Sequence, residues 1–397
     1  MLFRSGVHVS PLFNQVIDKI DLKQFALPGR STTHALVYLL HCILEALDNS
    51  HCYARLLFTD FSKGFDLVDH SFLVSELRDL GVHEALIRWI GAFLSVRSQV
   101  KIGSALSSTV IPRGGIPRGS IPQGTRLAPL LFAVLVNNLV NDWKTRVKYV
   151  DDLSVLEIIP RCSISLLPFV ARDICSYASS HDMKLNPSKC KELRIDFLQY
   201  KPSDPSPLQM SGCVIEQVSS YKLLGVHLSH NLSWSIHDHY DYIVKKARKR
   251  LYVLRVLRKS GLPPADLIKV YCSLVRPILE FASPVWAALP ACLVQLVESV
   301  QKSALRIIFP DCSYESALVI CGLPTLLARR DEACRRFISN IKESGFLSHL
   351  LPQSTSVAHG YGLRSGCSRS DFRLVRTDRL VRTDRLSSFV THCYDRV

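Results

Sequence analysis

Residues 33–47 place apolar side chains at helical spacing behind a Pro28-Gly29-Arg30 turn, with Ser31, Thr32 or Thr33 available as N-cap. Residues 55–61 form a compact apolar run bounded by polar positions, which predicts a buried strand ending at Asp60. Helical spacing returns over 72–96 with a break at Gly81, and the apolar stretch 127–136 reads as a buried helix in spite of Pro129. Residues 146–149 lead into 150–156, where apolar positions flank two adjacent carboxylates. This pattern predicts a β-hairpin with Asp151 and Asp152 at its bend. A helix over 166–179, a turn at Lys184-Leu185-Asn186-Pro187 and a short strand over 193–197 follow. Past a Pro- and Ser-rich linker at 201–207, residues 241–259 set Ile243, Ala247, Leu251 and Leu254 on one helical face, with a dense set of Lys and Arg elsewhere. Two further helical stretches, 264–281 and 292–309, make the C-terminal part helix-rich.

Two tandem repeats interrupt this order. Between 111 and 125 a pentapeptide occurs three times, as Ile-Pro-Arg-Gly-Gly, Ile-Pro-Arg-Gly-Ser and Ile-Pro-Gln-Gly-Thr. Pro and Gly at that density cannot continue a helix or a central strand, so the segment reads as a loop. Leu-Val-Arg-Thr-Asp-Arg stands at 374–379 and again at 380–385, in a polar tail that begins near 353 and is expected to be poorly ordered.

Composition narrows the class. A chain of 397 residues, 47% of them hydrophobic, can bury a sizeable core and suggests two or three folding units. Forty-nine Lys and Arg against 34 Asp and Glu leave a formal charge of +15, which favours a polyanionic partner, nucleic acid first. Thirteen Cys without a Cys-x-x-Cys pair or zinc-finger spacing argue against a disulfide framework or structural zinc. They predict an intracellular setting, cytoplasmic or nuclear. No run approaches the ~20 apolar residues of a membrane span, so no membrane partner is expected.

The specific signal lies in the order of several short segments. Asp60-Phe61-Ser62-Lys63-Gly64-Phe65-Asp66 resembles motif A of reverse transcriptases, and Tyr149-Val150-Asp151-Asp152 resembles motif C. Between them, Ile121-Pro122-Gln123-Gly124-Thr125-Arg126-Leu127-Ala128-Pro129-Leu130-Leu131-Phe132 is similar to motif B. Leu185-Asn186-Pro187-Ser188-Lys189 follows as motif D, and Tyr221-Lys222-Leu223-Leu224-Gly225-Val226 as motif E, the primer grip. With Gly29-Arg30-Ser31-Thr32-Thr33 upstream and Val275-Arg276-Pro277-Ile278-Leu279-Glu280 downstream, the wording resembles non-LTR (LINE-type) retrotransposons more than retroviruses or introns. Five motifs in order, over about 24–310, are far more specific than any one of them.

The resemblance implies an α+β right-hand polymerase core. Residues 1–228 would form a truncated fingers region and a palm with an antiparallel sheet, 229–350 a helical thumb-like region, and 351–397 a disordered tail. The implied reaction is RNA-directed DNA synthesis on an RNA template and DNA primer from deoxynucleoside triphosphates. Nucleotidyl transfer uses two divalent ions about 3.5–4 Å apart, one activating the primer hydroxyl and one steadying the leaving pyrophosphate. Mg²⁺, or Mn²⁺, suits oxygen ligands. By resemblance Asp60 and Asp151 bridge both ions, the Phe61 carbonyl helps, and Asp152 lies close by. Phe65 would block a ribose 2′-hydroxyl, Gln123 and Gly124 would line the nucleotide pocket, and Lys189 would protonate the leaving group. Leu224 and Gly225 of the grip, and Lys245, Lys246, Arg248, Lys249 and Arg250 on the basic helix, would contact nucleic acid.

Two departures set the alternatives. Gly64 stands where the family usually carries Ala, and the chain starts downstream of the first fingers motifs, whose basic residues hold the triphosphate. A catalytically inactive retroelement remnant that only binds nucleic acid is therefore the rival reading. A metal-dependent hydrolase using the same carboxylates lacks a His or Glu cluster to complete its site.

Overall fold

The strand Cys52–Thr59 is buried at every residue but its first, so both of its faces are covered and it belongs inside a sheet. The computed structural model describes residues 14–48, 51–62, 64–65, 68–94, 101–106, 127–198, 206–232, 239–287 and 291–351. They fall into two units: 1–35 with 51–219, and 36–50 with 220–397.

In the first unit the order begins with the start of α1 (Thr32–Asp48), whose remainder is counted in the second unit, and continues through β1 (Cys52–Thr59), α2 (His70–Asp79) and α3 (Glu84–Leu94). A small hairpin, β2 (Lys101–Ile102) and β3 (Ala105–Leu106), precedes α4 (Leu127–Leu135). Then come β4 (Arg146–Tyr149), β5 (Asp152–Pro160), α5 (Leu167–Ser180), β6 (Lys191–Ile195), β7 (Gln209–Met210), β8 (Cys213–Val214) and β9 (Glu216–Val218). The five-stranded sheet runs β4-β5-β1-β6-β9. It is antiparallel except for β6 and β9, which pair in parallel.

Leu57, Leu153 and Val155 of this sheet share one core cluster with Leu73 and Leu77 of α2, Ile87 and Ile90 of α3, Leu130 to Leu135 of α4, and Val170 and Ile174 of α5. The short α4 is apolar all round and is buried at all its residues except Pro129, as a fully enclosed helix must be. The break expected at Gly81 is real. Gly81 takes φ 68°, its amide reaches Arg78 O and the Val82 amide reaches Leu77 O, a glycine C-cap that ends α2. Asp69 caps the other end by accepting from the Ser71 amide at 2.8 Å.

One charged residue sits inside β1. Arg55 is 1% exposed and is held by Glu192 of β6 at 2.6 Å and by Ser165 Oγ at 2.8 Å; Ser165 in turn donates to Glu157 of β5 at 2.6 Å. A buried guanidinium is tolerable only with such partners.

The second unit holds the rest of α1, the hairpin β10 (Ser220–Leu223) and β11 (Val226–Ser229), and the helices α6 (His239–Lys259), α7 (Pro264–Val270), α8 (Arg276–Glu280), α9 (Ala291–Ile308), α10 (Tyr314–Cys321) and α11 (Leu326–Ser344). The core face read for α6, Ile243, Ala247, Leu251 and Leu254, is the buried one. The single helix expected over 264–281 is divided. Residues Tyr271–Val275 form a π turn between α7 and α8, just before Pro277, whose missing amide leaves no ordinary i→i−4 bond to continue. Trp286 and Tyr240 are buried edge to face at 5.6 Å. Among the described residues no helix is long and apolar enough to cross a membrane.

Candidate active site

Strand register gathers the carboxylates. Thr59 of β1 pairs with Leu153 of β5, so the next residue, Asp60, falls at the end of the sheet where Asp152 opens β5. Tyr149 pairs with Asp152, which leaves Val150 and Asp151 as the two turn residues between β4 and β5. The Asp pair expected at the bend is thus split, Asp151 in the turn and Asp152 in the first strand position. Val150 carries the turn with φ 57°, a left-handed conformation that β-branched residues rarely adopt.

On the other side of β1 the chain after Met183 completes the site. Phe61 forms an antiparallel bridge with Leu185, flanked by bonds from the Asn186 amide to Asp60 O at 2.8 Å and from the Ser62 amide to Lys184 O at 2.7 Å. In this non-hydrogen-bonded pairing the Phe61 carbonyl points away from Leu185, toward the side of β1 that β5 occupies. Asn186 also ends the segment in a tight turn. Its carbonyl accepts from the Lys189 and Cys190 amides at 3.0 Å, and its Oδ1 accepts from Ser188 Oγ at 2.6 Å. That turn carries Lys189 Nζ to 3.5 Å from Asp60 Oδ2.

The electrostatics follow from this crowding. Burial raises the Asp151 carboxyl above its ordinary range, and the charge of Asp60 adds to the rise. Asp152 keeps an exposed surface, yet the protein around it, then the charges of Asp151 and Asp60, push its carboxyl up to about 6. Asp60 Oδ2 is buried and accepts no hydrogen bond, and the Lys189 ammonium faces its charge at 3.5 Å.

Such a site calls for a cation. Among the described residues no three His, Cys, Asp or Glu side chains gather closely enough to cage an ion by themselves. Magnesium does not require a cage, because it is ordinarily held by one or two carboxylates together with water and substrate phosphates. An Asp60 oxygen that accepts no hydrogen bond, and two neighbouring carboxyls raised by burial and then by like charge, are what a divalent ion would satisfy, and an all-oxygen donor set suits it.

The Phe65 ring packs tilted on Phe132 of α4 at 4.8 Å and is half-buried against the core. Leu224 and Gly225, at φ 45° and 91°, form the two-residue turn of the β10–β11 hairpin. A Cβ on Gly225 would stand 2.7 Å from Phe281, so only glycine fits that approach. Lys245, Lys246, Arg248, Lys249 and Arg250 are all exposed on α6, which carries eight Lys and Arg against one Asp. Gln123, Gly124, the pentapeptide repeat and the tail from 353 lie outside the described residues.

Sequence reading missed two features. Gln24 reaches the Val150 amide with its side chain, a contact between segments far apart in the chain. Arg255, Arg258 and Lys259 of α6 and Arg306 of α9 line a cleft of about 630 Å³ with Ser303 and Ile307. A count of Lys and Arg along α6 past 250 was the only available signal for the second.

The sheet with its covering helices has the α+β build of a polymerase palm, and Asp60, Asp151 and Asp152 lie at one end of it. Residues 8–228 match the family model described as reverse transcriptase (RNA-dependent DNA polymerase), more than half of the chain, and the chain belongs to that family. It is similar to the "Probable RNA-directed DNA polymerase from transposon BS" of Drosophila melanogaster, at 25% identity over 305 residues, 72% of this chain and 32% of the relative. The chain therefore spans about a third of that relative's length. Among solved structures it is similar to a telomerase of Candida albicans in complex with a fragment of telomeric RNA, at 13% identity and TM-score 0.39, covering 79% of this chain and 57% of that one. The apo telomerase of Candida tropicalis is similar at 12% identity and TM-score 0.43, covering 80% and 50%.

Proposed function

We propose that the chain is the reverse-transcriptase part of a non-LTR retrotransposon polyprotein and that it extends a DNA primer on an RNA template from deoxynucleoside triphosphates. The observation that carries the reading is the convergence of Asp60, Asp151 and Asp152 at one end of the sheet, beside Lys189. Divalent ions, Mg²⁺ or Mn²⁺, would supply activation of the primer hydroxyl and neutralisation of the leaving pyrophosphate. Asp60, Asp151 and the Phe61 carbonyl are the residues to hold them, with Asp152 adjoining. Lys189 stands at the same edge, with an exposed ammonium able to give a proton to the leaving group. Phe65, Gln123 and Gly124 are assigned to the nucleotide's sugar and base. Template, primer and nucleotides all belong to an intracellular setting.

Primer extension by the purified chain with Mg²⁺ or Mn²⁺ tests the activity. Asp151→Asn should abolish extension and leave template binding nearly intact, since an amide cannot supply the bridging charge. Wild-type rates in that variant would sink the assignment, and binding without extension by the unaltered chain would leave the inactive remnant. Duplex contact is assigned to the exposed cations of α6. Changing Lys245, Lys246 and Arg248 to Ala should flatten the dependence of log affinity on log salt by about one counterion per contact.

A further inference from the structure

The turn that presents Asp151 is held in an unfavourable backbone conformation from outside. Val150, at φ 57°, would keep that geometry only where its surroundings over-determine it. A segment remote in sequence does so. Residues 23–25 run beside β4, with the Phe25 amide donating to Lys148 O at 2.8 Å and the Lys148 amide to Lys23 O at 2.9 Å, and Gln24 forming a parallel bridge with Lys148. Gln24 is 1% exposed. Its Oε1 accepts from the Val150 amide at 3.3 Å and from the Ala26 amide at 3.2 Å. The segment is itself anchored, because Asp21 accepts from Arg146 at 2.8 and 2.7 Å and pairs with Lys148 at 2.8 Å.

We infer that Gln24 is a positioning residue of the active site, whose Oε1 restrains the Val150 amide and so keeps the Asp151 carboxylate at the end of the sheet where Asp60 lies. The inference rests on the polymerase reading of those carboxylates. The Gln24 amide supplies its acceptor at the cost of a buried Nε2 without a hydrogen-bond partner. It offers an acceptor of the right reach without adding a negative charge to a site where three carboxylates already repel one another.

The test uses the full chain and the variant Gln24→Met, which keeps the length of the side chain and removes the acceptor. In the wild type the Val150 amide should exchange slowly, at the level of neighbouring strand amides. In Gln24→Met its exchange should quicken about tenfold, as expected for loss of one hydrogen bond. Mn²⁺ binding, read by electron paramagnetic resonance, and kcat for primer extension should each fall about 10- to 100-fold while primer–template affinity stays within about twofold. A folded variant with wild-type Val150 exchange or wild-type Mn²⁺ affinity overturns the inference, whatever its Tm. If the variant does not fold, exchange in the wild type decides: protection at Val150 supports the restraint, and the rate of an open turn refutes it. Neither exchange nor Mn²⁺ binding needs primer or nucleotide. A chain that fails to extend a primer would thus defeat the polymerase reading alone.

Discussion

Lys189 Nζ stands 3.5 Å from Asp60 Oδ2, and the two are brought together by Asn186, whose amide donates to Asp60 O while its carbonyl accepts from the Lys189 amide. The pair is open to solvent on the lysine side, 67% exposed against 29% for Asp60, so it adds little to stability. Its cation is available for chemistry, and this separates the two kinds of role.

Lys189→Ala should therefore leave Tm nearly unchanged and lower the extension rate on the order of a hundredfold, as loss of a proton donor would. Steady-state kinetics beside thermal unfolding check it. An unchanged kcat would return Lys189 to the solvated surface.

At Gly64 a methyl group would meet the Phe132 ring and Phe61 Cβ at 3.4 Å, which is ordinary contact. Gly64→Ala is expected to stabilise the chain by about 0.4–1 kcal/mol through the unfolded state, measured by denaturant unfolding. In the same wall, Phe65→Val should raise ribonucleotide incorporation by opening space near the sugar. Unchanged discrimination between the two sugars would make Phe65 a packing partner of Phe132 and nothing more.

Arg55 offers a stability test far from chemistry. Arg55→Ala leaves Glu192 and the Ser165–Glu157 pair buried without their cation and should cost about 3–5 kcal/mol. Adding Glu192→Leu should recover part of that loss, so the double variant is less destabilised than the sum of the singles. Additive losses would show that the two side chains do not act as a pair.

Acid should weaken the second unit at His239. Burial first, then the charges of His227 and Lys222, pull its imidazole down to about 4 from an ordinary 6.5. The unfolded chain then binds the extra proton between those values, so stability is full above about pH 6.5 and is lost as pH falls toward 4. The loss attributable to this one group is roughly 3 kcal/mol. Unfolding midpoints across that window, compared with His239→Asn, check it, and identical acid profiles would assign the loss to other groups.

Much of the local structure was legible from periodicity. The helix read over 241–259 is observed as His239–Lys259 with the same buried face, and the break at Gly81 falls where glycine alone reaches a positive φ cheaply. The strand leading to Asp60 was also legible, because an apolar run between polar residues has few other uses. The π turn at Tyr271–Val275 was not, since apolar spacing continues through it and only the lost Pro277 amide shifts the bonds.

The sequence by itself determined elements such as the strand leading to Asp60 and the helix over 241–259, and set the motifs in order, because the periods of 3.6 and 2 and the chemistry of turns act over a few residues. Only tertiary structure decided that β5 and β6 flank β1, that Asp60 falls beside Asp152, and that Asn186 turns Lys189 toward them. The same holds for Gln24, whose one useful oxygen is aimed at a turn it meets only after the segment from Lys23 to Phe25 has paired with β4. These contacts depend on strand pairing and register, which are chosen by burial across the whole unit and leave no periodic mark in any one segment.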